Sequence, residues 1–280
     1  MNNLLIFGLG YTGQRLAHSL QREGWDVCGT VRTADKVKQL KAQDLQPVLF
    51  EEAGDLIPKA THIICSIPPG EEGDPALNSY AAAFKVKKFQ WVGYFSTTGV
   101  YGDLRGDMAT EVTPTNPSNL RSLRRVQAEH NWQLLAPSAH VFRLPGIYGP
   151  GRSILDRIKG GQSSYTKKAG HRFSRIHVDD IVGAVIASIN NPRHGSTYNI
   201  VDDLAAETDD LIKFSCSLLG CSLPEAIPFA QANLSPMARS FYSDNRTVSN
   251  SLMKSDLNYT LKYPSYREGL KAIFDSYSAG

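Results

Sequence analysis

The chain has 280 residues, room for a large domain with a smaller lobe around a sizeable core. Hydrophobic residues make up 41% and charged residues 20%, a globular balance that excludes a disordered chain. The formal charge of +3 is too small to argue for a nucleic-acid partner, and no apolar run nears the roughly 20 residues of a membrane helix, so no membrane partner is expected.

Taken in order, the elements alternate. Leu4-Leu5-Ile6-Phe7 is a short continuous apolar run followed at once by Gly8 and Gly10. A helical pattern then passes through Leu16, Ala17 and Leu20 to Gly24. Val27–Val31 is a second strand, Lys36–Lys41 a short helix, Pro47–Phe50 a third strand and His62–Ile67 a fourth, stopped by Pro68 and Pro69. Ala76–Val86 is a helix, Trp91–Ser96 a fifth strand, about 118–135 a helix and Ala139–Leu144 a sixth strand. Strands that do not alternate, separated by helices, mean a parallel sheet buried on both faces. Right-handed crossovers make it a doubly wound α/β fold of Rossmann type. After Pro145 the pattern loosens into loop with a short helix at Ile154–Ile158. Asp179–Asn190 is a clear helix, Tyr198–Val201 a strand, and the last 75 or so residues are mostly helical. The expected domains are 1–149, completed by about 173–203, and a smaller substrate lobe from 150–172 and 204–280.

Gly8-Leu9-Gly10-Tyr11-Thr12-Gly13 fits G-x-G-x-x-G after a strand and before a helix. Gly8 permits the tight turn, Gly10 lets a pyrophosphate reach the backbone, and Gly13 lets the helix pack on the sheet. The helix start then offers N–H groups and its positive end to phosphates. Roughly 20 residues on, an NAD-selective domain would carry an acid for the ribose hydroxyls. Here Arg32 stands at the strand tip, able to pair with a 2′-phosphate, and Thr33 adds a hydroxyl. The expected cofactor is therefore NADP(H) rather than NAD(H).

The cysteines Cys28, Cys65, Cys216 and Cys221 include no Cys-x-x-Cys pair, and no nearby His completes a metal set. Cys28 and Cys65 read as reduced core thiols of a cytoplasmic protein, and no signal peptide is expected. Arg121, Arg124 and Arg125 form one basic cluster. Lys167 and Lys168 form another, read as a solvated face. Asp179 or Asp180 is placed to cap the helix that follows Ile176-His177.

Five strings together resemble the extended short-chain dehydrogenase/reductase superfamily of epimerases and dehydratases. They are Gly8–Gly13, Phe95–Gly102, Arg143–Gly151, Arg175–Asp180 and Tyr198–Val201. The resemblance implies a substrate-binding hydroxyl at Thr97. It implies nicotinamide contacts at Leu144 and Pro145, adenosine contacts at Ser66, Ile67 and Pro68, and a substrate cleft near Tyr148, Arg152 and Arg175. It also allows a homodimer through the helix bearing Arg121–Glu129. Active members carry Tyr-x-x-x-Lys on that helix, with the Lys four residues before a Glu. Here Glu129 sets the register, so Arg121 and Arg125 occupy the two positions. Arginine cannot supply a proton near neutral pH, so Tyr101 becomes a candidate acid, with a packing role as the alternative. Two functions stay open: an NADP-dependent oxidoreductase or epimerase-like enzyme for a polar, nucleotide-linked or other small molecule, and a non-catalytic NADP(H) sensor.

Overall fold

The computed structural model describes residues 2–193 and 195–277. They form two compact units. The first holds the chain up to Thr97, Leu120–Arg143 and Val182–Tyr198. The second holds Thr98–Asn119, Leu144–Ile181 and the chain from Asn199 on.

The chain begins with β1 (Asn3–Phe7), α1 (Tyr11–Arg22), β2 (Asp26–Val31), α2 (Ala34–Lys41), β3 (Gln46–Leu49), β4 (His62–Cys65), α3 (Pro75–Val86) and β5 (Trp91–Thr97). After β6 (Met108–Ala109) come α4 (Leu120–Leu135) and β7 (His140–Leu144). Next are β8 (Gly146–Tyr148), α5 (Ile154–Lys159), β9 (Ser164–Lys167), β10 (Arg175–His177), α6 (Val178–Asn190) and β11 (Thr197–Asn199). The remainder is α7 (Thr208–Leu219), β12 (Glu225–Pro228), α8 (Pro236–Ser240), β13 (Thr247–Val248), α9 (Ser251–Asp256) and α10 (Tyr266–Ser276).

In the first unit seven strands form a parallel sheet in the order β11-β7-β5-β4-β1-β2-β3. Leu4 pairs with Val27 on one side and His62 on the other, so β1 is where the winding reverses. In such sheets the crevice beyond that strand's carboxyl end receives ligands. The apolar runs are buried on both faces: Leu5, Ile6 and Phe7 are each at most 1% exposed. Trp132 of α4 packs on Phe84 and Tyr94, with ring centroids 5.5 and 6.1 Å away. Asp74 joins two helices. Its Oδ1 accepts from Ala76 and Leu77 N–H and so caps α3, while its Oδ2 accepts from Trp132 Nε1 at 3.0 Å.

Glu129 fastens α4 to the sheet. It accepts a short hydrogen bond from Ser96 Oγ of β5. It also takes two from Arg143 of β7, Nε at 3.1 Å and a terminal nitrogen at 2.8 Å. Both ionic partners are buried, so the paired fork offsets a large desolvation cost.

The second unit is built from short parallel pairs, β8 with β10, β9 with β12 and β6 with β13, around Tyr148, Leu155, Ile212, Tyr266 and Leu270. Gly269 of α10 makes room for Tyr148, whose hydroxyl would lie 2.1 Å from a Cβ there. Two expectations need correction. Neither Asp179 nor Asp180 precedes α6 as its cap. The helix already starts at Val178, and His177 Nδ1 accepts from Asp179 N–H instead. Asp180, fully buried, accepts from Tyr259 Oη and from the N–H groups of Lys262 and Tyr263, anchoring that loop. Nor is Lys168 part of a solvated face, although Lys167 is exposed as expected. Lys168 donates to Tyr242 O and lies over Phe229, and Lys167 pairs with Asp209 at 3.1 Å.

Two stability tests follow. Glu129→Ala strips Arg143 of a buried carboxylate and should cost about 3–5 kcal/mol, read from urea unfolding, with Glu129→Gln costing less. In the second unit Asp202 Oδ1 accepts from Leu204 N–H, while Oδ2 is buried with no hydrogen-bond partner among the described residues. Burial pushes its carboxyl up to about 8. An unfolded aspartate titrates near 3.9. The raised folded value means its favourable contribution is complete below that pH and is lost as pH rises through about 8. Asp202→Asn should flatten this part of the stability curve in thermal unfolding between about pH 5 and 9.

Candidate functional site

The turn after β1 is held from behind by β2. Thr30 Oγ1 accepts from Gly8 N–H at 3.0 Å, Thr30 O accepts from Leu9 N–H at 2.9 Å, and Gln14 Nε2 donates to Leu9 O at 2.9 Å. Gly8 sits at φ +100°, a region that favours glycine. A Cβ on it would stand 3.0 Å from Ile67. A Cβ on Gly13 would lie 2.7 Å from Gly8 O, so the helix can approach the turn this closely only with glycine there. Leu9 is buried and fills the space beside Gly29, whose Cβ would come within 2.4 Å of it. The sequence reading missed Thr30, Leu9 and Gly29. Their signal is a small residue and a buried hydroxyl on a strand otherwise made of core residues.

Gly10 differs from its neighbours. Nothing lies within 4 Å of where its Cβ would be. It is the residue before α1, which starts with no side-chain cap and no acid in its first turn. The first turn of a helix presents N–H groups without intrahelical partners, and here they adjoin open space and a positive helix end. Tyr11 is half-buried and Thr12 buried at this start. Ser66 and Ile67, beyond β4, flank Gly8, and Ser66 N–H donates to Phe7 O; Pro68 is exposed beside them. Arg32 and Thr33 follow β2, both exposed, and Thr33 Oγ1 accepts from Lys36 N–H as the cap of α2. A pyridine dinucleotide fits these residues. The turn would take its pyrophosphate where a side chain at residue 10 would stand, and Arg32 lies at the end of the strand that reads the adenosine ribose.

Thr97, half-buried, ends β5 in the first unit, and the helix bearing Arg121 and Arg125 packs against that strand. Arg121 is exposed. Arg125 is half-buried, and one terminal nitrogen donates to Phe95 O at 2.5 Å and Tyr94 Oη at 3.1 Å. Burial pushes the Tyr94 hydroxyl up, against the Arg125 charge beside it. Arg125 thus clamps α4 to β5 immediately before Thr97.

The other expected residues belong to the second unit. Tyr101 is fully buried, and its hydroxyl donates to Asn199 Oδ1 at 2.7 Å. Leu144 is buried and Pro145 half-buried at the end of β7. Tyr148, Arg152 and Arg175 come together on one cavity of about 500 Å³, which Arg157, Tyr266 and Leu270 also line.

The NAD-binding domain family of 6-phosphogluconate dehydrogenase matches residues 3–93. Protein YeeZ of Escherichia coli (strain K12) is 30% identical over 220 residues, 71% of this chain and 77% of that protein. A functionally unknown conserved protein from Silicibacter pomeroyi has a TM-score of 0.95 at 40% identity over 99% of both chains. UDP-glucuronic acid 4-epimerase from Bacillus cereus, solved in complex with NAD, has a TM-score of 0.78 at 17% identity over 99% of both, a likeness of fold. The seven-stranded sheet, the glycine turn after its first strand and these relatives agree: the chain belongs to the family of protein YeeZ, carries an NAD-binding Rossmann domain and shares the fold of the NAD-dependent epimerases and dehydratases.

Proposed function

We propose that the protein is an NADP(H)-dependent oxidoreductase or epimerase-like enzyme acting on a polar small molecule, nucleotide-linked substrates included. The open space at Gly10, against an uncapped helix start, carries the reading. Arg32 supports the 2′-phosphate-bearing cofactor: its guanidinium is exposed at the end of β2, with no acid at that position. When bound, the dinucleotide supplies the hydride chemistry. Thr97 offers a hydroxyl to a substrate carbonyl or hydroxyl. Arg125 holds a permanent charge beside it, suited to a ribose or phosphate, but cannot exchange a proton near neutral pH. The reading includes a cytoplasmic protein and allows a homodimer through α4.

A specific observation favours the second reading, a non-catalytic NADP(H) sensor. The register that should hold Tyr and Lys holds Arg121 and Arg125, and Tyr101 would have to leave Asn199 to serve as an acid. Single-turnover oxidation or reduction of the bound cofactor by a panel of nucleotide sugars separates the two. Turnover lost in Thr97→Ala supports the enzyme. Tight binding with no turnover of any panel member supports the sensor.

Calorimetric titration with NADP(H) and NAD(H) tests the cofactor. Arg32→Ala should weaken NADP(H) by about tenfold or more and leave NAD(H) within about twofold, because a charge-assisted bond contributes about 1.5–3 kcal/mol and tenfold is 1.4 kcal/mol. Gly10→Ala should keep the unfolding temperature of the parent protein yet lose at least about tenfold in affinity, since 1.4 kcal/mol of obstruction suffices. Gly13→Ala should lose both stability and affinity. Tight binding by Gly10→Ala would remove the pyrophosphate from the turn.

A further inference from the structure

We propose that the cavity of the second unit binds an organic anion, a carboxylate or phosphate carried on a small apolar body. The proposal goes beyond the dinucleotide reading and does not rest on it, since every residue it uses lies in the second unit. At about 500 Å³ the cavity falls within the range of roughly 300–1,000 Å³ typical of small-molecule sites.

The wall carries three guanidinium groups, from Arg152, Arg157 and Arg175, against one carboxylate, Asp156. That carboxylate is already committed. Its Oδ2 accepts from Ser153 N–H and Oγ, closing the capping box of α5, and its Oδ1 accepts from Tyr277 Oη at 2.6 Å.

Arg175 carries the guanidinium held in place by backbone carbonyls. One terminal nitrogen donates to Phe173 O at 2.9 Å and Ala206 O at 3.0 Å, which fixes the guanidinium plane. Its Nε and second terminal nitrogen meet no acceptor among the described residues. Burial draws its pKa below the ordinary arginine value, with the neighbouring Asp202 opposing. Asp202, the neighbouring carboxyl, is itself pushed up by burial. An anion seated against this half-buried guanidinium edge would meet the remaining donors with charge-assisted bonds. Arg152 and Arg157 are exposed at the rim, where they would draw an anion inward. Tyr148, Tyr266, Leu211 and Leu270 give the remaining surface an apolar body to cover.

The test uses the whole protein and three probes of similar size: phenyl phosphate, benzoate and neutral phenol, each titrated by calorimetry at low and high salt. Saturable binding of phenyl phosphate, benzoate or both, tighter than about 1 mM, weakening with salt and absent for phenol, is expected. The two anionic probes tell which acid group the site takes. The double substitution Arg152→Ala and Arg157→Ala, both at exposed positions, should lower that affinity at least tenfold while NADP(H) affinity stays within twofold. Equal binding of phenol, no anion bound tighter than about 1 mM, or unchanged affinity in the double variant would overturn the proposal. So would a parallel fall in NADP(H) affinity, which would place the anion on the glycine turn instead.

Discussion

The first unit depends on one buried carboxylate. Glu129 joins Ser96 of β5, its own helix α4 and Arg143 of β7, at a depth where an unpaired charge would cost several kcal/mol. Trp132 adds ring packing on Phe84 and Tyr94 and its own bond to Asp74. The fork between Glu129 and Arg143 has one geometry and so fixes the register of the helix. Arg125, one turn earlier, is thereby delivered against Phe95 O and Tyr94 Oη. The scaffold that aims this helix face at the end of β5 is thus fixed by buried polar contacts.

The two ends of the glycine turn are specified from different places. Its outward side is open, as a ligand requires. Its inward side is saturated by Thr30 and Gln14 and wedged by Leu9 into the space that Gly29 leaves. A loop whose backbone is satisfied from behind keeps its shape without a ligand, so little ordering cost falls on binding. The same strand that braces the turn ends at Val31, so the turn and the exposed Arg32 that follows β2 share one rigid support.

Much of this was legible in the residue string. Continuous apolar runs between helical patterns announced the parallel sheet, and glycines at fixed spacing announced the turn, because both follow from local sterics and period. What was not legible is non-local. The segment 98–119 carries no composition break, yet it packs with the second unit through contacts such as Asn199 N–H to Glu111. The pairs β8–β10, β9–β12 and β6–β13 are two to four residues long, too short for any alternation to register. His177 took the capping role expected of an aspartate because α6 begins one residue earlier than the acid pair suggested. Arg175 looked like any cleft arginine in sequence; its burial and its carbonyl partners are tertiary facts.

Gly269 has a consequence for when the cavity exists. Tyr148 reaches across to Ser265 O, 117 residues away in sequence, and it can do so because α10 presents glycine where any side chain would collide with its ring. The cavity wall is therefore a long-range closure between β8 and the helix carrying Tyr266 and Leu270. Contacts of such separation form late, because a long loop must be closed before they repay it. An opening of α10 alone, well short of global unfolding, is enough to undo the wall. The chamber thus depends on a contact between residues far apart in sequence, while the backbone of the glycine turn is braced within the first βαβ unit by Thr30 and Gln14.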